Sequence, residues 1–377
     1  MRVGLMCAWL LLLLCLPAAS RAASAFQPGF KTVGVWLEEK NLRLDINIWY
    51  PAVRKPFDVT YGAWELHVAR NGREAEGRFP LLLLSHDSSG TRFSHHETAA
   101  WLAQSGFVVA APTHNNDNTH NMPQLFTLRQ LLERVEELRA TLDVLTTHTE
   151  LHGRIDLERV GVVGFGVGGT AALMLGGALP QAAGWREYCL RAGGGDLYCT
   201  SWAAPRMQKL VESLPLQKSP ADTRVKAVAA VAPAYGMLFN KHGLQWVYPP
   251  VLLIKAGNDT VNREPWHADA VRRLLPNAPY FSVIDGVDAE TLMSACPPAL
   301  AKDIPELCGR GGAAERRRAH RELDAALTRF FLQTLGGIEP LPHIPAPPDL
   351  SPPPPTEVKK QPSPEKKKVR GNKRKSS

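Results

Sequence analysis

The chain has 377 residues and a formal net charge of +8 at pH 7. Nearly all of this charge belongs to residues 356–377, where nine lysines and arginines stand against two glutamates, a net of +7. The remainder is close to neutral, so the basic balance does not predict a nucleic-acid-binding groove on the folded part.

Residues 1–25 have the pattern of a secretory signal peptide, with one basic residue, an apolar stretch and then small residues. Cleavage after Ala22 or after Ala25 fits this pattern, and the apolar stretch is too short to span a bilayer. Neither Cys7 nor Cys15 follows the small residue that a lipidation site needs. We therefore predict a periplasmic or secreted protein without a lipid anchor or a transmembrane span.

Residues 26–338 are predicted to form one large α/β domain. Its first two apolar segments, Thr32–Leu37 and Leu42–Trp49, predict an antiparallel pair at the edge of a sheet. Six later apolar runs are each too short for a helix and predict buried strands. They are Phe79–Leu84, Phe107–Ala111, Val160–Val163, Val225–Ala232, Val251–Ile254 and Tyr280–Ile284.

Segments with helical spacing of apolar residues alternate with these runs. They are His95–Gln104, Leu125–Leu145, Gly169–Gly176, Arg263–Leu274 and Glu315–Leu335. Near-continuous apolar runs that alternate with helices are typical of a mostly parallel sheet with helices on both faces.

Residues 179–223 have no clear period and carry several aromatic residues. We interpret them as a lid-like insertion; packing against the edge of the sheet is the alternative.

Outside the signal peptide the chain has four cysteines in two local pairs. In an exported protein this predicts the disulfides Cys189–Cys199 and Cys296–Cys308, with four free thiols as the alternative. Neither pair has the spacing of a zinc knuckle, so we predict no metal.

Residues 339–377 are proline-rich and then lysine-rich, and we predict that they form a disordered tail. Such a tail could contact an anionic envelope polymer, a membrane surface or nucleic acid, or it could simply be solvated. The sequence does not indicate the oligomeric state.

The segment 160–169 reads VGVVGFGVGG, a strand that ends in glycines and passes directly into a helix. A strand, a sharp turn and a helix form the nucleophile elbow G-x-S-x-G, whose middle residue is a strained serine. Here the middle residue is Gly166, and Val167 follows it.

The same glycines almost spell the dinucleotide-binding fingerprint G-x-G-x-x-G. Two features oppose that interpretation. The elbow would be the fifth strand instead of the first, and no acidic residue follows about 20 residues further on, where Ala182, Ala183 and Gly184 stand. We therefore predict neither a dinucleotide nor another cofactor.

Five further segments carry a family resemblance: QPGF at 27–30, WYP at 49–51, LSHDSSG at 84–90, RFSHH at 92–96 and AAPTH at 110–114. Together with the elbow, they resemble the secreted bacterial predicted dienelactone hydrolases, which are similar to platelet-activating-factor acetylhydrolases. The resemblance covers Phe26–Leu335. It implies an α/β-hydrolase fold and a carboxylic ester hydrolase site for a small ester or a lipid-like molecule.

The resemblance also implies a catalytic triad, in which serine attacks, histidine removes its proton and aspartate orients the histidine. Asp259 matches the acid, and a helix-capping aspartate is the alternative. The nucleophile position holds Gly166, and counting back from Cys296 places Ala289 at the position of the histidine. Two members of the triad are therefore missing.

The oxyanion region departs from the family as well, because Asp87-Ser88-Ser89 stands where members have a glycine-rich turn. A carboxylate there would oppose the charge that oxyanion donors stabilise. We expect a pocket at the carboxyl ends of the strands. Its predicted rim consists of His86, Asp87, Ser88, Ser89, Val167, His114 and Asp288.

Loss of nucleophile and base together removes on the order of 10⁶ in rate. The leading hypothesis is therefore an exported pseudoenzyme that binds a ligand in a pocket under the 179–223 insertion. A second is an ester hydrolase with a relocated nucleophile, Ser88 or Ser89, and His86 or His114 as its base. Two others are a metal site of Asp259, Asp288 and His114, and an interaction protein that acts through its basic tail.

Overall fold

The structure is a computed structural model. It describes residues 26–336 except 39–40, 148–149, 183, 217–218, 304 and 309–310. The predicted signal peptide and the predicted tail lie outside the described residues. Within the described part, no helix has the length and apolar character that crossing a membrane requires.

The described strands form one ten-stranded sheet in the order β10-β9-β8-β7-β5-β6-β2-β1-β4-β3. Neighbours from β10 to β6 are parallel, whereas β2 is antiparallel to both β6 and β1. The strands are β1 (Gln27–Leu37), β2 (Leu42–Ala52), β3 (Phe57–Tyr61), β4 (Trp64–Arg70), β5 (Phe79–Ser85), β6 (Val108–Pro112), β7 (Ile155–Phe165), β8 (Val225–Val231), β9 (Val251–Ala256) and β10 (Tyr280–Ile284).

Helices cover both faces of this sheet. They are α1 (His96–Gln104), α2 (Leu128–Thr147), α3 (Val167–Leu175), α4 (Trp185–Ala192), α5 (Ala204–Glu212), α6 (Lys241–Leu244), α7 (Ala268–Leu274), α8 (Pro298–Asp303), α9 (Pro305–Cys308) and α10 (Ala313–Leu335). Side chains of α2 and α3 pack in one hydrophobic core and those of α1 and α10 in the other. Successive residues of a strand point to opposite faces, so Leu81 and Leu83 of β5 enter the first core and Leu82 and Leu84 the second. The predicted α/β architecture is confirmed.

The predicted edge of the sheet is wrong. β1 pairs with β4 as well as with β2, and β3 lies beyond β4. The segment Trp64–Arg70 alternates buried and exposed residues, as a half-buried strand does, but its charged residues gave it the appearance of a polar loop.

The insertion at 179–223 is packed against the core. It contains α4, a short 3-10 helix at Leu197–Cys199, and α5, and its buried Tyr188 and Met207 belong to the α2–α3 core. The predicted disulfides are both present, Cys189–Cys199 and Cys296–Cys308, each with a Cα–Cα distance of 5.5 Å. The first ties α4 to the 3-10 helix.

Candidate functional site

The elbow forms where β7 ends at Phe165 and α3 begins at Val167. Gly166, between them, has φ 53° and ψ −118°, a region that residues with a side chain adopt only under strain. The turn is also crowded, because a Cβ atom on Gly164 would overlap the backbone of Gly168. These requirements explain the glycines of the segment.

The carboxylate of Asp87 fills the place of the elbow side chain. Its Oδ1 accepts hydrogen bonds from the amide of Val167 at 2.8 Å and from that of Ser88 at 2.7 Å. A Cβ atom added to Gly166 would overlap the Asp87 carboxyl group. In the α/β-hydrolase fold, the amide after the nucleophile and an amide of the first strand–helix loop form the oxyanion hole. The corresponding amides here are bound by the protein's own carboxylate.

Burial raises the pKa of Asp87 to about 6, although the Val167 amide and the charge of Arg134 act in the opposite direction. The carboxyl group is only partly accessible. It therefore changes its charge close to neutral pH.

A buried ion pair supports the loop that carries Asp87. The guanidinium of Arg134, on α2, donates through Nε to Asp117 at 2.7 Å and also bonds the carbonyl oxygen of His86. Asp117 accepts from Gln130 at 2.8 Å and from the Ser88 hydroxyl at 3.3 Å. Arg134 and Gln130 of α2, together with Asp117, thus hold the turn at 86–88 in place.

His86 and His114 do not line the pocket, contrary to the predicted rim. Both are completely buried beneath the Asp87 loop. His86 donates through Nδ1 to the carbonyl of Asp87 at 2.6 Å and accepts through Nε2 from the amide of His114 at 3.0 Å. His114 Nδ1 bonds Glu137 and its Nε2 bonds the hydroxyl of Ser85, each at 2.8 Å. Burial lowers the pKa values of His86 and His114 well below the usual range for histidine, so both imidazoles are neutral.

A cavity of about 260 Å³ opens beside Gly166. Of the predicted rim, Asp87, Ser88, Ser89 and Val167 line it. Asp288 does not, because its carboxylate caps the 3-10 helix at Ala289–Leu292 by accepting from the amide of Thr291 at 3.0 Å and its hydroxyl at 2.7 Å.

Ala289, at the place predicted for the histidine, lines the cavity together with Glu290. Asp259 lies behind the wall of the cavity. Its Oδ1 accepts from the amides of Val261 and Asn262, which both line the cavity, at 2.9 and 2.8 Å. Burial raises the pKa of Asp259. The Asp259 carboxylate thus stabilises its own loop. The histidine that a triad acid would orient is absent, because Ala289 stands at its position.

The imidazole that does line the cavity is that of His95. Its ring stacks on Phe165 with 3.5 Å between centroids, and burial lowers its pKa to about 3, so it is neutral. The metal alternative is not supported, because His114 lies under the loop, away from the cavity. Across the described residues, no group of three or more histidines, cysteines and carboxylates could hold a metal ion.

Backbone strain is concentrated around the cavity. Among described residues other than glycine and asparagine, those with positive φ are Ser89 (60°), Phe126 (62°), Ala232 (43°) and Tyr235 (54°). All four line the cavity. Such conformations each cost on the order of 1–3 kcal/mol and cluster at functional sites, which makes this cavity the candidate functional site.

Residues 68–186, which include Asp87 and the elbow, match the dienelactone hydrolase family. Among solved structures the chain is similar to a ferulic acid esterase from Streptomyces cinnamoneus. The two share 16% sequence identity with a TM-score of 0.55, over 84% of this chain and 92% of that chain. No curated protein matches the chain. The chain therefore has an α/β-hydrolase fold, and its residues 68–186 match the dienelactone hydrolase family.

Proposed function

We propose that the protein is an exported pseudoenzyme, which binds a small molecule in the cavity beside Gly166 and does not hydrolyse it. The observation that carries the proposal is the position of Asp87, whose Oδ1 accepts from the amides of Val167 and Ser88. The two disulfides suit an oxidising compartment outside the cytosol.

Ester hydrolysis on this fold needs a nucleophile, a base and oxyanion donors. The nucleophile position is Gly166, the base position is Ala289, and the donors already bind Asp87. An ester oxygen could reach the amides only if the Asp87 carboxylate left. While it stays, a developing oxyanion would meet a negative charge at the point where catalysis requires positive potential.

The alternative with a relocated nucleophile names His86 or His114 as its base, and neither histidine is available. The Ser88 hydroxyl donates to Asp117 and accepts from Gln130 Nε2 at 2.9 Å. Both ring nitrogens of His86 and both of His114 are held by other partners. Neither His86 nor His114 is therefore free to accept a proton from Ser88 or Ser89.

Retention of the cavity supports binding over a purely structural role. A protein kept only as a scaffold gains nothing from strained conformations at Phe126 and Tyr235, and filling the space would stabilise it. The space beside Gly166 is open, and Phe165 forms part of its wall without closing it. Strain that persists around an open cavity is expected where the cavity binds a ligand.

The test is to incubate the purified protein with short-chain nitrophenyl esters and, separately, with a fluorophosphonate probe. We expect no turnover above the buffer rate and no labelling. Turnover and labelling that disappear in Ser88→Ala or Ser89→Ala would overturn the proposal. Asp58→Asn, a substitution of an exposed residue on β3, is the matched control for the effects of mutagenesis itself.

A further inference from the structure

The charged side chains that line the cavity are acidic. Asp87 and Glu290 line it, and the described lining residues include no lysine or arginine. Arg134 is close enough to influence Asp87, but it is paired with Asp117 beneath the loop and is not among the lining residues. The neutral His95 adds no positive charge. The ionisable groups that can carry charge in the cavity wall are therefore the two carboxyl groups of Asp87 and Glu290.

Three aromatic rings of the cavity wall form a cluster. The ring centroids are 5.6 Å apart for Phe126 and Tyr198, 5.3 Å for Tyr198 and Tyr235, and 6.5 Å for Phe126 and Tyr235. All three pairs meet edge to face. The face of an aromatic ring attracts cations, so a wall that contains three rings is suited to a cationic ligand.

The polar ends of the two tyrosines in this cluster are already used. The hydroxyl of Tyr198 donates to Asn262 at 2.6 Å, and that of Tyr235 donates to Gln130 at 2.8 Å. Burial raises the pKa of both phenols, so both remain neutral. The two hydroxyl groups are consequently not available as donors that could bind an anion.

Asp87 is held in one position relative to this wall. The two amides bond its Oδ1, whereas Oδ2 lies beside Gly166, on the side where an elbow side chain would project. A ligand that donates to Oδ2 would form a charge-assisted hydrogen bond in a largely apolar cavity, where such bonds are strong.

We propose that this cavity binds a small organic ammonium ion with an apolar body, the ammonium group facing Asp87 and the aromatic cluster of Phe126, Tyr198 and Tyr235. The inference rests on the proposed function, because it names the ligand class of the same non-hydrolytic pocket. The partly exposed Met122 and Leu197 line the mouth of the cavity and offer apolar contacts to the rest of the ligand. A carboxylate ligand would instead meet Asp87 and Glu290, and a neutral ester would forgo the charge-assisted bond.

The experiment compares three probes that share one carbon frame, 2-phenylethylamine, 2-phenylethanol and phenylacetate, by calorimetric titration of the oxidised protein at pH 7.5. We expect the amine to bind at least about tenfold more tightly than the alcohol, from one hydrogen bond to a charged group, and phenylacetate to bind most weakly. Asp87→Asn should reduce the preference for the amine to about threefold or less, whereas Asp58→Asn should leave it unchanged.

The outcomes separate this inference from the proposed function. Binding of the alcohol as tight as that of the amine, or preferred binding of phenylacetate, would refute the ammonium assignment and leave a binding pocket. A preference for the amine that survives in Asp87→Asn would refute the role of Asp87. No binding of any probe at millimolar concentration, in a protein that unfolds cooperatively, would contradict both proposals.

Discussion

Replacement of Asp87 by asparagine should stabilise the protein at neutral and alkaline pH. Oδ1 alone accepts the amides of Val167 and Ser88, so an asparagine can keep both hydrogen bonds and place its Nδ2 where Oδ2 now lies. The substitution thus removes a buried charge with little change in shape. The buried charge of Asp87 thus lowers the stability of the fold, as functional residues often do.

The size of the expected stabilisation follows from the pKa of Asp87. Burial raises the pKa of Asp87 from 3.8 to about 6, so the folded state favours the protonated form. The stability contributed by this group is fully present below pH 3.8 and is lost as the pH rises through about 6. At about 1.36 kcal/mol per unit, the free energy of unfolding loses about 3 kcal/mol between these limits. Asparagine does not titrate and avoids the loss.

The assay is urea denaturation of both proteins between pH 4 and pH 8, with the disulfides oxidised. The difference in the free energy of unfolding, variant minus wild type, cancels the other groups that titrate in both, including Asp324, whose pKa burial raises to about 7. It should grow by about 2.4 kcal/mol between pH 4 and pH 8, since part of the loss has already occurred at pH 4. A difference independent of pH, or one that shrinks as the pH rises, would refute the description of Asp87 as a buried acid.

Three further substitutions test the architecture by urea denaturation. Gly166→Ser should lower the free energy of unfolding by at least about 1–3 kcal/mol because of strain at φ 53°. A second change, Asp87→Gly, should recover part of this loss because it removes the carboxyl group that the new side chain would overlap. A Gly166→Ser variant as stable as the wild type would contradict this overlap. Glu137→Ala should cost at least about 2 kcal/mol because it leaves buried donors, including His114 Nδ1, without their acceptor, and Glu137→Gln should cost less. Serines in place of the Cys189–Cys199 disulfide, which spans 10 residues, should cost about 2–3 kcal/mol, and an unchanged midpoint would show that the bond adds nothing.

The sheet was predictable wherever a strand is a near-continuous apolar run, whether it is buried like β5 or partly exposed like β10. The run Tyr280–Ile284 became β10 with the predicted bounds, and Phe79–Leu84 became β5 with one residue added. β3 and β4 were missed because they lie at the exposed end of the sheet, where half the side chains are polar. Periodicity is a weaker signal there than a continuous apolar run.

The site was predictable in its composition but not in its contacts. The sequence indicated Gly166 at the elbow and Asp87 in the oxyanion turn, yet the contact of Asp87 with the Val167 amide spans 80 residues and depends on the direction of a loop side chain. Arg134 and Glu137 were missed although a signal existed. Both lie on the otherwise apolar, buried face of α2, and charges in that position are typically paired.

The changes at Gly166 and Asp87 are two halves of one structural exchange. A serine at 166 and a carboxylate at 87 would compete for the same space, so the carboxylate can lie there only when residue 166 has no side chain. Without Asp87, in turn, the amides of Val167 and Ser88 would lose their acceptor at the start of α3, where a negative charge is favourable. Each residue makes the other tolerable, and together they replace a transient oxyanion with a permanent carboxylate. Restoring serine and histidine at 166 and 289 should therefore give no esterase activity while Asp87 remains, and activity that appeared without changing Asp87 would show that the carboxylate leaves the oxyanion hole readily.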